Sequence, residues 1–283
     1  MNIPPCFNVT RNLVAVLTAF LCAVAPDARS AEQAATKPLR QAHSHNDYLH
    51  TRPLLDALDQ GFCSVEADIW LVDGKLLVAH DLKEARPERT LQALYLDPLA
   101  ERVKKNGGRL FRNGPEFTLL VDVKSDATNT YMALRLVLQN YAAMLTRFSG
   151  QQIETNAVTI VISGNRVRAL MAAETSRLTA YDGRLPDLDA SETSALIPLV
   201  SDNWTLHFKW RGRDDEGPLP EAERMKLRGL VTRAHEQGRR IRFWAAPDKP
   251  AMWEELRKAG VDYINTDRLK ELGEFSRPSP SRP

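Results

Sequence analysis

The sequence is short of cysteine, and this limits both its covalent bracing and its thiol chemistry. Three cysteines occur in 283 residues. Two of them, Cys6 and Cys22, fall in an N-terminal segment with the character of a leader, so Cys63 is left without an internal disulfide partner. We interpret Cys63 as a small buried apolar residue rather than a nucleophile.

The sequence also lacks an excess of charge of one sign and a second long apolar run. The 38 lysines and arginines nearly balance the 36 aspartates and glutamates, and no long basic run indicates a nucleic-acid partner. After residue 30, no apolar run is long enough to span a membrane. No G-x-G-x-x-G motif follows the first predicted strand, so a dinucleotide site has no support.

The first thirty residues have the pattern of a secretory signal peptide. Arg11 gives a positive start, residues 13–25 form an apolar stretch of suitable length, and small residues follow it. An uncleaved membrane anchor is the alternative, but the stretch is shorter than the roughly 20 residues that a span needs. We predict a signal peptide over 1–30, a linker over 31–40, and export to the periplasm or the medium without a membrane anchor after cleavage.

The rest of the chain alternates between short apolar segments typical of strands and amphipathic segments typical of helices. The predicted strands cover residues 41–45, 64–71, 76–81, 117–124, 157–164, 177–183, 195–203, 240–247 and 262–267. The predicted helices cover residues 53–61, 130–145, 165–174, 221–238 and 251–260.

A hairpin interrupts this alternation. Asp73 and Gly74 separate two apolar runs, which indicates a tight turn between antiparallel strands, so segment 76–81 is predicted as an excursion. Without it, eight strands alternate with helices or long connections. This pattern predicts a single-domain α/β protein with a (β/α)₈ barrel over 41–275 and a disordered tail over 276–283. An open doubly wound sheet is the alternative.

Carboxylates occur near the ends of two predicted strands. Side chains alternate along a strand, so Glu66 and Asp68 share one face, and Asp122 shares a face with Lys124. Carboxylates at a barrel mouth repel one another and are costly to bury, and a divalent cation relieves both costs. Oxygen ligands suit Mg²⁺ or Ca²⁺ better than zinc. Surface salt bridging is the alternative for either pair alone.

Histidines accompany these carboxylates. His43 ends the first predicted strand and His80 ends the hairpin, so both could overlook one mouth. Imidazole titrates near neutrality, so two histidines can divide the base and acid roles of one displacement. His45 would share the face of His43 and contact a phosphate or orient His43, and Asn46 follows it. A structural role is the alternative for each histidine alone.

Five motifs follow one another along the chain, AHSHNDY, SVEADIWL, LLVAHD, LLVDVK and IRFWAAPD. In this order they resemble the phosphatidylinositol phospholipase C-like phosphodiesterase superfamily, which includes glycerophosphodiester phosphodiesterases and the sphingomyelinase D toxins. Within it, the sequence is most similar to the uncharacterised branch named after altered inheritance of mitochondria protein six. The resemblance runs from about residue 41 to 268.

The resemblance implies a (β/α)₈ barrel that cleaves phosphodiesters with one divalent cation. Carried over by motif, it assigns the cation to Glu66, Asp68 and Asp122. It assigns catalysis to His43, His80 and Lys124, with a substrate contact from Trp244, and we predict further substrate contacts from His45 and Asn46. Typical glycerophosphodiesterases read H-R-G where this sequence reads His-Ser-His, and they use a glutamate where Asp122 stands. An aspartate there is similar to the sphingomyelinase D group.

The predicted function is hydrolysis of a glycerophosphodiester- or phospholipid-like substrate, with Mg²⁺ or Ca²⁺ as cofactor. Either water or a neighbouring substrate hydroxyl could be the nucleophile, and oligomeric state is left open. One alternative is an amidohydrolase-type metal hydrolase, which would use His43, His45, Lys124, His207 and Asp267. It leaves Glu66, Asp68 and His80 without a role. A non-catalytic protein that binds a phosphorylated ligand on the same barrel is the other.

Overall fold

The computed structural model describes residues 1–2, 36–213 and 215–277. The predicted signal peptide beyond Asn2, the predicted linker up to residue 35, and residues 278–283 of the predicted tail lie outside the described residues. Among the helices that are described, none combines the length and the apolar character needed to cross a bilayer.

The strands are, in chain order, β1 (Leu39–Ser44), β2 (Phe62–Val72), β3 (Lys75–Val78), β4 (Phe117–Val123), β5 (Arg147–Ser149), β6 (Gln152–Glu154), β7 (Val158–Gly164), β8 (Ser176–Arg177), β9 (Thr179–Gly183), β10 (Leu199–Asn203), β11 (Arg240–Trp244) and β12 (Tyr263–Thr266). Parallel pairing runs through β1, β2, β4, β7, β9, β10, β11 and β12. Because β12 also pairs with β1, the sheet closes on itself. The predicted single-domain (β/α)₈ barrel is confirmed.

The hairpin predicted after the second barrel strand is also present. β3 pairs antiparallel with the end of β2, from Ile69 opposite Val78 to Val72 opposite Lys75. Asp73 and Gly74 have φ values of 47° and 75°, the left-handed conformation that a two-residue hairpin turn requires. β3 therefore stands outside the closed barrel and returns the chain, through His80, to the mouth where β2 ends.

The helices are α1 (Leu55–Gln60), α2 (Asp97–Lys105), α3 (Ala127–Gln139), α4 (Arg168–Ala173), α5 (Trp204–His207), α6 (Glu221–Glu236), α7 (Pro250–Ala259) and α8 (Leu269–Ser276). Each of the five predicted helical segments overlaps one of them. Local signals set several ends: the Asp126 carboxylate accepts from the Asn129 backbone N–H at the start of α3, and Gly260 ends α7 in the left-handed conformation.

Several elements depart from the predicted boundaries. β1 begins at Leu39, inside the segment predicted as linker, and α8 continues to Ser276. Helices α2, α5 and α8 were not predicted, nor was the small antiparallel sheet of β6, β5 and β8. Helix α2 has only nine residues, which is shorter than the window of about 11–18 residues over which helical periodicity is read.

The barrel interior is layered. An apolar cluster inside the barrel is separate from the main core and consists of Leu120, Val161, Leu199 and Tyr263. The main core fills the space between the strands and the helices. On β4, Leu120 lies between Thr118 and Asp122, which share its face by strand alternation. The apolar layer therefore lies between polar residues at the amino ends of the strands and polar residues at their carboxyl ends, as packed (β/α)₈ barrels require.

Candidate active site

A cavity of about 270 Å³ opens at the carboxyl ends of the barrel strands. Eight of the nine predicted site residues line it, all except His43. Three residues that were not predicted complete the lining, Ser163, Arg184 and Arg242. The carboxyl end is where (β/α)₈ enzymes build their active sites, because the variable loops follow the strands there.

The three predicted metal ligands converge in this cavity. Asp68 on β2 lies in register with Asp122 on β4, and Glu66 lies two residues before Asp68 on the same strand face. One oxygen from each carboxylate lies within 4.8 Å of the others. The Lys124 Nζ is 3.1 Å from Asp68 Oδ2 and 3.0 Å from Asp122 Oδ1, so a single ammonium bridges two of the acids.

Burial and mutual repulsion disfavour the charged carboxylates. Burial raises the pKa of Asp68, and the negative charge of Glu66 raises it further. Burial also raises the pKa of Asp122, to about 6, while Lys124 opposes the rise and the charges of Glu66 and Asp68 add to it. Burial alone would lower the pKa of Lys124, but Asp122 and Asp68 raise it, so the ammonium stays charged. The cluster holds more negative charge than Lys124 neutralises.

The Asp68 carboxylate shows where a cation fits. Its Oδ2 is in contact with Lys124, Tyr48 and His80, whereas its buried Oδ1 has no hydrogen-bond partner among the described residues. Buried carboxylate oxygens are normally satisfied, and the missing partner points to a group that protein side chains do not supply. Three carboxylates offering only oxygen fit a hard divalent cation. Glu66, Asp68 and Asp122 would hold it.

Gly164 makes room for one of these ligands. It ends β7 with a φ of 67°, and a Cβ at this position would collide with Asp122 Oδ1 and with the backbone of Val123. Only glycine satisfies both the left-handed backbone and the close approach of the carboxylate. The sequence signal was a glycine at the end of an apolar strand, which by itself does not name its neighbour.

His43 lies beneath the cavity in a buried group with Glu66 and Arg242, which we call the inner triad. The Arg242 Nη1 donates to Glu66 Oε2 at 2.8 Å and lies 2.6 Å from His43 Nε2. Since a guanidinium only donates, His43 Nε2 accepts, and its protonated Nδ1 donates to Ser64 Oγ at 2.7 Å. Both ring nitrogens of His43 are therefore engaged.

The inner triad fixes two protonation states. Burial lowers the pKa of His43 to about 4, with the charge of Arg242 adding to the effect, so this imidazole is neutral near pH 7. Burial on its own would raise the pKa of Glu66, but the charge of Arg242, the hydrogen bond to His43 and the charges of His45 and His43 together hold that pKa well below the ordinary value. Arg242 was not predicted, although a charged residue inside an apolar strand signals that a buried partner exists.

His80 is the histidine most open to the cavity. Its ring is 58% exposed, and its Nδ1 lies 3.0 Å from Asp68 Oδ2 and 3.2 Å from the Tyr48 hydroxyl. Tyr48 donates to the same Asp68 oxygen at 2.7 Å. Burial and the charge of Asp68 raise the pKa of Tyr48, so the phenol keeps its proton and acts as a donor. With Nδ1 held in this way, Nε2 is the nitrogen left for proton transfer.

The opposite rim carries fixed positive charge. Arg184 follows β9, and its Nη1 donates to Asp182 Oδ2 at 2.9 Å, an oxygen that also accepts from Ser163 Oγ at 2.8 Å. Together with Lys124 and Arg242, Arg184 gives the cavity three cationic side chains. With a divalent cation offsetting the three carboxylates, such a lining would suit an anionic substrate.

His45 and Asn46 follow β1 at the rim. The His45 Nδ1 lies 3.0 Å from Asp267 Oδ1 and 2.9 Å from Asn46 Nδ2. Asn46 has a left-handed φ of 47°, which turns the chain away from the barrel at this point. Trp244 ends β11 and lines the cavity from that strand.

The amidohydrolase arrangement does not match this geometry. The His43 Nε2, which would have to bind a metal, lies against the Arg242 guanidinium. His207 lies beside Asp202, with Nε2 3.2 Å from Oδ2, and it does not line the cavity. The residues that converge are the carboxylates that this alternative leaves without a role.

Comparison with known proteins agrees with the motif order. The model of the AIM6-like phosphodiesterase domain matches residues 33–182, and that of the glycerophosphoryl diester phosphodiesterase family matches residues 240–270. "Altered inheritance of mitochondria protein 6" of Eremothecium gossypii is 31% identical over 84% of this chain and 69% of its own length. The homolog from Arthroderma benhamiae is 29% identical over 80% of each chain.

Among solved structures, the glycerophosphodiester phosphodiesterase from Agrobacterium tumefaciens is similar to this chain. The match has a TM-score of 0.47 and 15% sequence identity, and it covers 84% of this chain and 99% of the other.

Proposed function

The chain belongs to the AIM6-like phosphodiesterase family, and we propose that it hydrolyses a glycerophosphodiester- or phospholipid-like substrate with one divalent cation, Mg²⁺ or Ca²⁺. Family and fold support phosphodiesterase activity in general. The observation that carries the finer proposal is the convergence of Glu66, Asp68 and Asp122 around a buried oxygen that no described residue satisfies. The same cavity also contains His80 and Lys124.

Substrate binding follows from the charges of the cavity. A phosphodiester carries one negative charge, which Lys124 and Arg184 can meet from two sides. When bound, the cation supplies Lewis-acid polarisation of a phosphoryl oxygen. Lys124 adds a positively charged donor where charge develops at phosphorus, a contribution that grows in a cavity of low dielectric. Trp244, His45 and Asn46 line the space where the substrate alcohols would lie.

Proton transfer needs a group that removes a proton from the nucleophile and one that delivers a proton to the leaving oxygen. His80 is exposed to the cavity and oriented through Nδ1, so we assign one of these roles to it. His43, to which the family resemblance gives a proton-transfer role, has both ring nitrogens in contact with inner-triad partners or Ser64. In this arrangement its action is to hold Glu66 and Arg242 in place.

The first test is phosphorus NMR of diesters incubated with the protein. Glycerophosphocholine, glycerophosphoinositol, a lysophospholipid and sphingomyelin would each be tested with Mg²⁺, with Ca²⁺ and with a chelator. We expect a metal-dependent product signal, and its shift separates a cyclic phosphate from a monoester and so identifies the nucleophile. The variant Asp68→Asn is the control, and it should give no product.

Two outcomes would contradict the proposal. Product formed equally well in the presence of chelator would remove the cation from the mechanism. No product, together with no Mg²⁺ or Ca²⁺ binding in calorimetry, would instead favour a non-catalytic protein that binds a phosphorylated ligand.

Export remains a separate part of the proposal. It depends on the pattern of residues 1–30 alone. Expression of the full chain followed by cell fractionation and N-terminal sequencing would test it. A mature protein that begins near residue 30 outside the cytoplasm is expected, and an intact leader in the cytoplasm would contradict it.

A further inference from the structure

Two histidines separated by one residue have opposite surroundings. His43 is 1% exposed, with Arg242 against Nε2 and Ser64 against Nδ1. The side chain of His45 is 31% exposed and lines the cavity. A general acid or base must reach the reacting oxygen with a free ring nitrogen. In the described structure, His45 meets this requirement and His43 does not.

Main-chain hydrogen bonds anchor both residues of the contact between His45 and Asp267. Its backbone N–H donates to the Thr266 carbonyl at 3.0 Å, which joins the ends of β1 and β12. Asp267 comes next, and its own N–H donates to Asp248 Oδ2 at 3.0 Å. The 3.0 Å contact between His45 Nδ1 and Asp267 Oδ1 therefore joins two residues whose main chains are anchored.

Asn46 competes for the same ring nitrogen. Its Nδ2 lies 2.9 Å from His45 Nδ1 and 3.4 Å from Asp267 Oδ1. Nδ1 cannot accept from the amide and donate to the carboxylate at once. A hydrogen bond to an ionised carboxylate is about twice as strong as one between neutral groups, so we assign the Nδ1 proton to the bond with Asp267. The Asn46 amide then also donates to Asp267, and Nε2 remains for the substrate.

This inference rests on the proposed function. We propose that His45, oriented by Asp267, is the general acid that protonates the leaving oxygen, and that His80 accepts the proton of the nucleophile. Asp267 is a positioning residue that acts through His45. The arrangement of a ring nitrogen held by an aspartate, with the other nitrogen presented to the substrate, is the logic by which a carboxylate orients a catalytic histidine.

The step balances in atoms and electrons. A bond forms between phosphorus and the nucleophilic oxygen, and the proton of that oxygen passes to His80 Nε2. The bond from phosphorus to the leaving oxygen breaks with its electron pair on that oxygen, which takes the proton from His45 Nε2. His45 ends neutral and His80 protonated, and exchange with solvent restores both.

The charge state of His45 suits an acid. Burial on its own would lower the pKa of His45, but the hydrogen bond to Asp267 and the charge of Glu66 outweigh it and raise that pKa. The protonated ring is therefore available closer to neutrality than for an isolated histidine.

A leaving-group comparison tests the assignment, because an acidic leaving group needs no proton from the enzyme. The variants His45→Gln and Asp267→Asn would be assayed with the alkyl diesters of the NMR panel and with bis(p-nitrophenyl) phosphate. For His45→Gln we expect kcat to fall by about 10²–10⁴-fold on alkyl diesters but less than about tenfold on the aryl diester. Asp267→Asn should also lower kcat more on alkyl diesters than on the aryl diester, by smaller factors and with KM retained.

The chain contains a matched control. His235 Nε2 lies 2.9 Å from Asp262 Oδ2 in a histidine–aspartate pair outside the cavity. His235→Gln removes such a pair without touching the site, and it should leave kcat unchanged on both substrates. Nitrogen NMR of the ring gives a second readout that does not depend on turnover. Neutral His45 should carry its proton on Nδ1, and Asp267→Asn should weaken that preference.

Several results would overturn the inference. An equal loss on alkyl and aryl diesters in His45→Gln would exclude a leaving-group acid, as would unchanged kinetics. A neutral His45 protonated on Nε2 would break the link to Asp267 whatever the activity. No turnover by the unmodified protein would overturn the proposed function and this assignment together, whereas turnover that ignores His45 would overturn only the assignment.

Discussion

The two ends of the barrel contain cavities of nearly equal size, but they differ in how completely their charged groups are paired. The cavity at the amino ends has a volume of about 290 Å³, against about 270 Å³ at the carboxyl ends. At the amino end, Arg240 pairs with Glu116 and donates to the Tyr263 hydroxyl at 2.7 Å. At the carboxyl end, Asp68 keeps an oxygen that has no partner in the described part of the chain. Incomplete compensation of charge, and not cavity volume, distinguishes the candidate active site.

The apolar layer explains how one barrel supports both arrangements. Leu120, Val161 and Leu199 fill the lumen between the two ends, and the Tyr263 hydroxyl is turned to the amino end, where it meets Thr118 at 2.7 Å. The charges of one end are therefore separated from those of the other by packed side chains. Matched substitutions at the two ends should have independent effects, which makes the comparison testable.

The largest contrast is expected between Arg242→Met and Arg240→Met. The Arg242 side chain is 4% exposed, and its loss leaves Glu66 and His43 buried without their cation. Removing one partner of a buried ion pair costs about 3–5 kcal/mol of unfolding free energy. The Arg240 side chain is 41% exposed, so its loss should cost about 1 kcal/mol or less. Denaturant unfolding would measure both, and equal costs would refute the contrast.

The next contrast concerns cation binding. Asp68→Asn removes one candidate ligand, and we expect at least about a 100-fold loss of Mg²⁺ or Ca²⁺ affinity and of activity, since even residues that only support metal ligands contribute about 10–100-fold. Glu116→Gln changes a carboxylate at the other end and should alter neither. Calorimetric titration with each cation gives the affinities. Retained binding in Asp68→Asn would move the cation away from this cluster.

A third contrast uses pH in the absence of divalent cations. The pKa of Asp122 is raised to about 6, so this group contributes stability below the unfolded-state pKa and loses it as pH rises through about 6. Asp122→Asn should therefore stabilise the cation-free protein by about 2 kcal/mol at pH 8, with little gain at pH 4. Unfolding curves at both pH values measure this. A destabilised variant at pH 8 would show that Lys124 already compensates the carboxylate.

The smallest contrast compares backbone strain alone with backbone strain that also displaces the Asp122 carboxylate. Gly164→Ala and Gly150→Ala both place a side chain at a positive φ, which costs about 1–2 kcal/mol of stability. Only the Cβ at position 164 collides with Asp122, whereas no described residue other than its chain neighbours lies within 4 Å of the one at 150. We expect about a tenfold loss of activity in Gly164→Ala alone, because displaced catalytic groups lose rate steeply. Equal activities would show that Asp122 adjusts.

The fold was largely accessible from the sequence because its signals are local. Short apolar segments that alternate with amphipathic ones predicted all eight barrel strands, and Asp73 with Gly74 predicted the hairpin. Strand alternation also placed Glu66 and Asp68 on one face. Helix α2 was missed because its nine residues fall short of the window of about 11–18 residues over which helical periodicity is read.

The site was only partly accessible because depth along the barrel axis depends on strand register. Alternation gives His43 and His45 the same face but does not show that one lies beneath the cavity and the other at its rim. That difference comes from the pairing of His43 with Ser64 on β2 and with Asn265 on β12. Arg242 and Gly164 were missed for a related reason, since their partners are remote in sequence and no local pattern names them.

The closure of the barrel between β1 and β12 brings together residues that lie far apart in the sequence. His45 and Asp267 are 222 positions apart and meet only where the first and last barrel strands pair. The carboxylates of β2 and β4 are brought together by the pairing of these two strands, in which β12 takes no part. Loss of the pairing between β1 and β12 would therefore separate His45 from Asp267 and leave in place the strand pairing that holds Asp68 beside Asp122.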